Sequence, residues 1–176
     1  MALVYLALGS NLGDRRRYLN AMANGIRHID RTQLLERSAL WSSPPWKMKS
    51  QWDFLNACVL IDTLLEPTEL LVRTRKVERQ LGRMPGSHQA DRTADIDILW
   101  WEGLQMKGPT LTIPHPELFE RDFVLLPLRE IVIEEHAELR KAIDEALDNI
   151  KITAQKIRDD RDDRDEDERY SQETRP

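Results

Sequence analysis

The chain has 176 residues, 40% hydrophobic and 32% charged, with a net charge of −5, which suits one soluble domain with a real core. No stretch approaches the ~20 apolar residues of a membrane span. A single cysteine, Cys58, rules out an internal disulfide and fits a reducing cytoplasm. Residues 158–176 hold nine carboxylates against five arginines, so most of the charge sits there and the rest is near neutral. Net charge therefore names no partner, and neither nucleic acid nor membrane binding is expected.

The opening run "LVYLALG" (3–9) is β-rich and apolar. It lacks the leading basic residues of a signal peptide and reads as a strand ending in the turn "GSN". Leu19, Met22, Ala23, Ile26 and Ile29 recur at helical spacing, with Asp14 placed as N-cap. Residues 34–41 read as a second strand. Pro44 and Pro45 make 42–52 a loop. Residues 53–62 form a third strand, with Leu55, Ala57, Val59 and Ile61 on one face and Phe54, Asn56 and Cys58 on the other. A helix over 66–82 has Pro67 near its start and a stripe of Leu70, Leu71, Thr74, Val77 and Leu81. Gly82 falls where a C-terminal cap belongs. A polar loop (83–92) leads to a strand in which Ile96, Ile98 and Trp100 share one face and Asp95 and Asp97 the other. After a turn at Glu102-Gly103 come a strand at 110–113, proline-broken helical turns over 114–131, and a helix over 137–150. Residues 158–169 lack an apolar stripe and read as a solvated, disordered tail. There is no internal repeat. Four or more strands with two major intervening helices point to a sheet covered by helices.

The chemistry concentrates at Asp95 and Asp97. Their Cα atoms lie roughly 6.6 Å apart on a strand, and the two charges repel by on the order of 2 kcal/mol at an effective dielectric of 20. A divalent cation reverses that sign. Carboxylates so spaced can bracket two ions about 3.5–4 Å apart, a geometry that clamps transferring phosphates. Magnesium suits this best, since it takes one or two carboxylates plus phosphate oxygens. For the strand alone, a solvent-facing edge explains the pair slightly better. The flanks shift the balance: residues 73–92 carry Arg73, Arg75, Lys76, Arg79, Arg83 and Arg92 against Glu78 and Asp91. Cations beside such carboxylates suit a polyphosphate.

Other signals are weaker. "GSN" lacks the Gly-Lys-Ser/Thr ending of a Walker loop. Phe54 and Asn56 on one strand face would suit a flat heterocycle, one stacking and the other pairing donor with acceptor, although ordinary packing explains Phe54 alone. His115 between two prolines could contact phosphate. The four histidines show no zinc spacing, and no nucleophilic Ser or Cys constellation is present.

The stretches "ALGSNLGD", "SSPPW", "FLNACV", "ERQLGR", "RTADIDIL" and "IPHPELFERDFVLLPL" occur in that order. Together, over about residues 3–135, they resemble the 6-hydroxymethyl-7,8-dihydropterin pyrophosphokinases of the folate pathway. The resemblance implies an α+β fold, a three-layer αβα sandwich on a ferredoxin-like, mainly antiparallel sheet. It implies a catalytic domain over 1–157, a tail over 158–176, and transfer of pyrophosphate from ATP to the pterin hydroxymethyl group, leaving AMP. It also implies two Mg2+ ions on Asp95 and Asp97, with Arg83, Arg92 and Asp97 catalytic. Gly9, Ser43, Pro44, Trp46, Phe54, Asn56 and Phe123 match the pterin site. Leu71, Arg75, Glu78, Arg83, Arg92, Ile98, Thr112, His115 and Arg121 match the nucleotide side. The expected partners are these two small molecules, and the expected state is a cytoplasmic monomer.

This sequence departs from the family at one loop. A second arginine is usual where Pro85 stands, and a Trp-Gly-Pro run is usual where the chain has Gln89-Ala90-Asp91; the loop is also a residue shorter. A reduced lid would slow the chemical step more than it weakens binding. Three readings stay open: an active pyrophosphokinase, a poorly active paralogue that binds pterin and nucleotide, and a metal-dependent phosphoesterase or nucleotide-binding module using the same strand. The tail cannot offset the entropy of ordering it. Truncation after Lys156 is therefore expected to leave melting temperature and activity nearly unchanged; a large loss of either would show that the tail docks.

Overall fold

The computed structural model describes residues 1–84 and 90–157. The expectations for Pro85, Gln89 and the 158–176 tail lie outside the described residues. The order is β1 (Ala2–Ser10), α1 (Arg15–Arg27), β2 (Thr32–Arg37), β3 (Trp41–Ser43), β4 (Phe54–Thr63), α2 (Pro67–Gln80), β5 (Asp95–Trp101), β6 (Met106–Lys107), β7 (Thr112–Ile113), α3 (Asp122–Ile131), α4 (Ala137–Asn149) and β8 (Gln155–Lys156). Six strands form one sheet, ordered β5-β1-β4-β3-β8, with β2 also on β4. Its pairings are antiparallel. Strands β6 and β7 form a separate hairpin.

The three layers follow from the apolar pattern. Leu19, Met22, Ala23 and Ile26 of α1 and Leu70 and Val77 of α2 pack on Val4, Leu6 and Leu8 of β1 and on Leu55, Ala57, Val59 and Ile61 of β4. On the opposite face, Val124, Leu125 and Leu128 of α3 and Leu139 and Ile143 of α4 pack on Tyr5, Cys58, Leu60 and Leu99. With helices on both faces, β1 and β4 become nearly continuous apolar runs. The Asp14 carboxylate accepts from Arg17 N at 2.8 Å and caps α1 as expected. The two helices of the first face touch closely at Gly25, where a Cβ would lie 2.7 Å from Val77 Cγ1.

Five local expectations are corrected. The strand expected at 34–41 is two strands, β2 and β3, running along β4. Between them Ser38 turns its hydroxyl inward to accept from Cys58 N at 2.9 Å, replacing a ladder bond. The run 42–52 is therefore not all loop, since β3 reaches Ser43. Trp100 does not share a face with Ile96 and Ile98. The β1–β5 register shifts between Tyr5 and Leu6, leaving Leu99 as a bulge. Trp101 joins Ile96 and Ile98, whereas Trp100 packs with Tyr5.

Residues 114–131 contain not only short turns but also the ten-residue α3, with Pro127 inside it. An interior proline costs about 3 kcal/mol. The buried Val124, Leu125, Leu128 and Ile131, each contributing roughly 1.5–3 kcal/mol, outweigh it. Finally, β8 is an unexpected strand on β3. Beyond it, Ile157 N donates to Leu40 O at 2.9 Å and its side chain packs on the core. A truncation after Lys156 would remove these Ile157 contacts, whereas one after Ile157 keeps them.

Cys58 is fully buried, with Sγ 3.6 Å from Val124 O. Burial pushes its thiol pKa well above the ordinary value, so the folded chain keeps a proton that the unfolded chain releases above pH ~8.5. Stability should fall as pH rises from there, by about 1.4 kcal/mol at pH 9.5. Denaturant titrations at pH 7.5 and 9.5 should show this loss in wild type and its removal in Cys58→Ala, whose baseline stability is lower. Equal losses in both proteins would exclude Cys58 as the cause.

Candidate functional site

Asp95, Gly9, Asn56 and Trp41 lie in one row across β5, β1, β4 and β3. Asp97, Ala7 and Cys58 form the next row along the sheet. The central strand thus offers Ala7 and Gly9 between larger neighbours. At Gly9 a Cβ would sit 3.5 Å from Asn56 Oδ1 and 3.8 Å from Asp95 Cβ, so the glycine leaves that floor open. The start of α3 and the 44–48 loop wall in the remainder, giving a cleft of about 360 Å³. All seven residues expected at the pterin site line it: Gly9, Ser43, Pro44, Trp46, Phe54, Asn56 and Phe123. Asn56 is 6% exposed, and its Nδ2 donates to Ser43 Oγ at 3.0 Å and to Trp41 O at 3.3 Å. Its Oδ1 is the amide atom left for a ligand donor. Trp46 meets Phe123 edge-on at 6.2 Å, and the Arg92 guanidinium lies 5.3 Å from the Phe54 ring centre.

A second cleft of about 660 Å³ opens between α2, β5 and the 108–116 segment. Leu71, Arg75, Glu78, Arg83, Ile98, Thr112 and His115 line it, which brings together seven of the nine residues expected on the nucleotide side. Arg92 and Arg121 instead line the aromatic cleft, because ion pairs draw them to the two aspartates. Arg83, Asp97 and His115 border both clefts.

The carboxylates are met by cations from three parts of the chain. Arg83 bridges Glu78 and Asp95 through Nη1. Arg92 Nε lies 3.0 Å from Asp95 Oδ2, off the N–H direction, as an ion pair rather than a hydrogen bond. Arg121 donates to Asp97 Oδ2 at 3.2 Å and pairs with Glu117. His115 Nε2 stands 3.9 Å from Asp97 Oδ2. Glu78 also accepts from Ile96 N at 2.7 Å, tying α2 to β5.

Burial and the Asp95 charge raise the Asp97 pKa against the pull of His115 and Arg121. Burial, helped by Arg121, lowers that of His115 despite Asp97. Burial also raises Glu78, opposed by Arg83 and the Ile96 N–H. Two charged residues of the aromatic cleft were not foreseen. Lys47 bridges Glu117 and Glu120, each at 3.1 Å, and lies 4.0 Å from the Trp46 ring centre. Glu117 also lines this wall. Their only sequence signal is proximity to Trp46 and His115.

A raised acid pKa means that the folded chain holds the Asp97 proton to higher pH than the unfolded chain does. Its contribution therefore declines as pH rises from the unfolded value of ~3.9 through the folded one. At pH 7 in chelator, Asp97→Asn should melt no lower than wild type. A clear drop would mark the Asp97–Arg121 pair as a fold-holding contact.

Residues 5–133 match the model of the family described as 7,8-dihydro-6-hydroxymethylpterin-pyrophosphokinase (HPPK). A 2-amino-4-hydroxy-6-hydroxymethyldihydropteridine pyrophosphokinase of Porphyromonas gingivalis is 40% identical over 143 residues, 78% of this chain and 96% of that one. Enzymes of the same name from Methylorubrum extorquens and Bacillus subtilis are 42% and 39% identical over 74% and 73% of this chain, and 83% and 77% of theirs. Among solved structures, an HPPK-DHPS in complex with substrates matches at a TM-score of 0.61 and 14% identity, over 84% of this chain and 43% of that one. The Plasmodium falciparum HPPK-DHPS with pteroate matches at 0.59 and 14%, over 89% and 48%. The chain spans less than half of those longer proteins, and the likeness shows the shared fold. By the family match and the identity of its full-length relatives, the chain belongs to the 7,8-dihydro-6-hydroxymethylpterin pyrophosphokinases, a family of diphosphotransferase enzymes.

Proposed function

We propose that this chain moves the pyrophosphoryl group of ATP onto the hydroxymethyl oxygen of 6-hydroxymethyl-7,8-dihydropterin, releasing AMP, as a cytoplasmic monomer of the folate pathway. The observation that carries this reading is that an aromatic, amide-floored cleft and a basic cleft meet at Arg83, Asp97 and His115. A pterin in the first and a triphosphate in the second would bring the attacking hydroxyl to the β-phosphorus. Phe54 and Phe123 hold the flat ring, and Asn56 Oδ1 accepts from its amide edge. The floor left open by Gly9 lets the ring approach. Arg83, Arg92 and Arg121 can release Asp95 and Asp97 and neutralise phosphate oxygens, orienting the chain of phosphates for in-line transfer. Asp97, where the two clefts meet, accepts the hydroxyl proton.

Asp95 and Asp97 fit Mg2+, which takes one or two carboxylates and fills its remaining positions with phosphate oxygens and water. Among the described residues there is no cage of three or more metal-ligating side chains, so these two carboxylates would rely on the substrate to complete coordination. Bound there, two ions would stabilise charge on the attacking and leaving oxygens.

One observation favours a second reading, a slow paralogue. Asp91 stands where the resemblance has the end of a Trp-Gly-Pro lid run, and its carboxylate instead accepts from Asn11. One assay separates the two readings: AMP release from ATP by the purified chain with and without the hydroxymethyl pterin. Pterin-dependent AMP at rates above one turnover per second supports the enzyme; tight pterin binding without it supports the paralogue.

Asn56→Ala should weaken pterin binding by roughly 1–3 kcal/mol, read by calorimetry, since it leaves a buried ring donor unpaired. Asp97→Asn should reduce transfer by at least about 100-fold. Unchanged pterin affinity in the first would remove the pterin assignment. Near-normal transfer in the second would remove Asp97 from the chemistry.

A further inference from the structure

Asn11, the last residue of the "GSN" turn, has no role in the chemistry above, yet it is fully buried beside the cleft. Its Nδ2 donates to Asp91 Oδ1 at 2.7 Å, its Oδ1 accepts from Arg92 N at 2.8 Å, and its own N donates to Arg92 O at 3.0 Å. The second Nδ2 proton points to Ser50 Oγ at 3.4 Å, and Ser50 Oγ in turn accepts from Trp52 N at 3.0 Å. Asn11 thus grips the Arg92 backbone with its side-chain oxygen on one side and its own main-chain N–H on the other, while its amide NH2 holds the neighbouring Asp91 and reaches the 44–53 loop. From this we infer that Asn11 is a positioning residue for the pyrophosphoryl transfer, setting the Arg92 guanidinium between Asp95 and the Phe54 ring. The inference rests on the reading that Arg92 acts on the phosphates.

Chemistry explains why an asparagine serves. The clamp must accept from a main-chain N–H and donate to a carboxylate at the same time, and a single amide does both. The opposite amide orientation would set NH2 against the Arg92 N–H and oxygen against the Asp91 carboxylate. Alanine would leave the Arg92 N–H without its partner in a part-buried place. Aspartate would keep the bond to Arg92 N but set two carboxylates face to face at the 2.7 Å contact. Arg92 itself reaches Asp95 at 3.0 Å and lies 5.3 Å from the Phe54 ring centre, so a shift of its backbone moves a cation away from both the phosphate side and the pterin side.

A residue acting through Arg92 should have no effect once Arg92 is gone. The test uses single-turnover rates at saturating ATP and pterin, pterin affinity by calorimetry, and melting temperature. Asn11→Ala should lose roughly 10- to 100-fold in rate, the scale of an ångström-level misplacement, with pterin affinity changed less than about threefold. In an Arg92→Ala background the same substitution should cost nothing further. Asn11→Asp should be slow, Asp91→Asn near wild type, and the double Asn11→Asp/Asp91→Asn close to wild type again, because donor and acceptor are exchanged and the bond returns.

Rate losses that multiply in the Asn11→Ala/Arg92→Ala protein would overturn the inference, as would a double exchange no faster than Asn11→Asp. A wild-type rate for Asn11→Ala would also sink it while leaving the pyrophosphokinase reading intact. If the wild type makes no pterin-dependent AMP, that reading fails first and this inference with it. A variant that merely misfolds is recognised by a melting temperature that the charge exchange does not restore; that result too would overturn a positioning role.

Discussion

Two carboxylates on one face of an edge strand repel each other, and the architecture of the site answers that repulsion. Arg83 arrives from the end of α2, Arg92 from the approach to β5, and Arg121 from the turn into α3. All three converge on Asp95 and Asp97. The network pulls three distant segments to one point, and so it shapes the cleft as well as charging it. The stabilisation from such pairs is modest, because each guanidinium and carboxylate gives up water to form it. What the network provides is geometry: cations held about a gap, each with an anionic partner.

That gap exists because of how the sheet is covered. Helices pack on both faces along β1 and β4, and α3 begins only at Asp122. Ahead of it the sheet face carries Ala7 and Gly9 between Asp95, Asp97 and Asn56, so the surface dips there instead of filling with side chains. Among the described residues, polar contacts pin the loops that wall the dip. Lys47 ties the Trp46 loop to Glu117 and Glu120, and Thr93 Oγ1 donates to Leu81 O at 2.7 Å, closing the base of the 83–92 loop. The site therefore rests on paired strands for its floor and on polar contacts between loops for its described rim. This division suits a reaction that must admit two substrates and then exclude water.

Much was legible in the residues themselves. The helix stripes of α1, α2 and α4 and the two-faced pattern of β4 follow directly from 3.6- and 2-residue periods. So does the placement of Asp95 and Asp97 on one face, and the quoted motifs carried the family and with it the antiparallel three-layer class. The errors arose where long-range pairing overrode local period. Leu99 bulges because β1 and β5 shift register, and this moves Trp100 to the other face. The 34–41 segment breaks at Ser38 because its hydroxyl substitutes for a ladder bond on β4. Helix α3 runs through Pro127 because four buried side chains outweigh one missing hydrogen bond.

The sequence by itself determined the fold class, the covered sheet, and the residue types of the site: paired acids, basic neighbours, an aromatic and amide face. Those properties are written in short-range spacing and in motifs, and both survive without knowledge of neighbours. Only the tertiary structure decided that Arg92 and Arg121 stand in the aromatic cleft with the aspartates, and that Glu78 anchors Arg83. It also decided that Asn11 grips the backbone of Arg92 across 81 positions of sequence. Ion pairs and buried hydrogen bonds act through space, with energies set by distance and desolvation, and no local period encodes which distant partner a charge will meet.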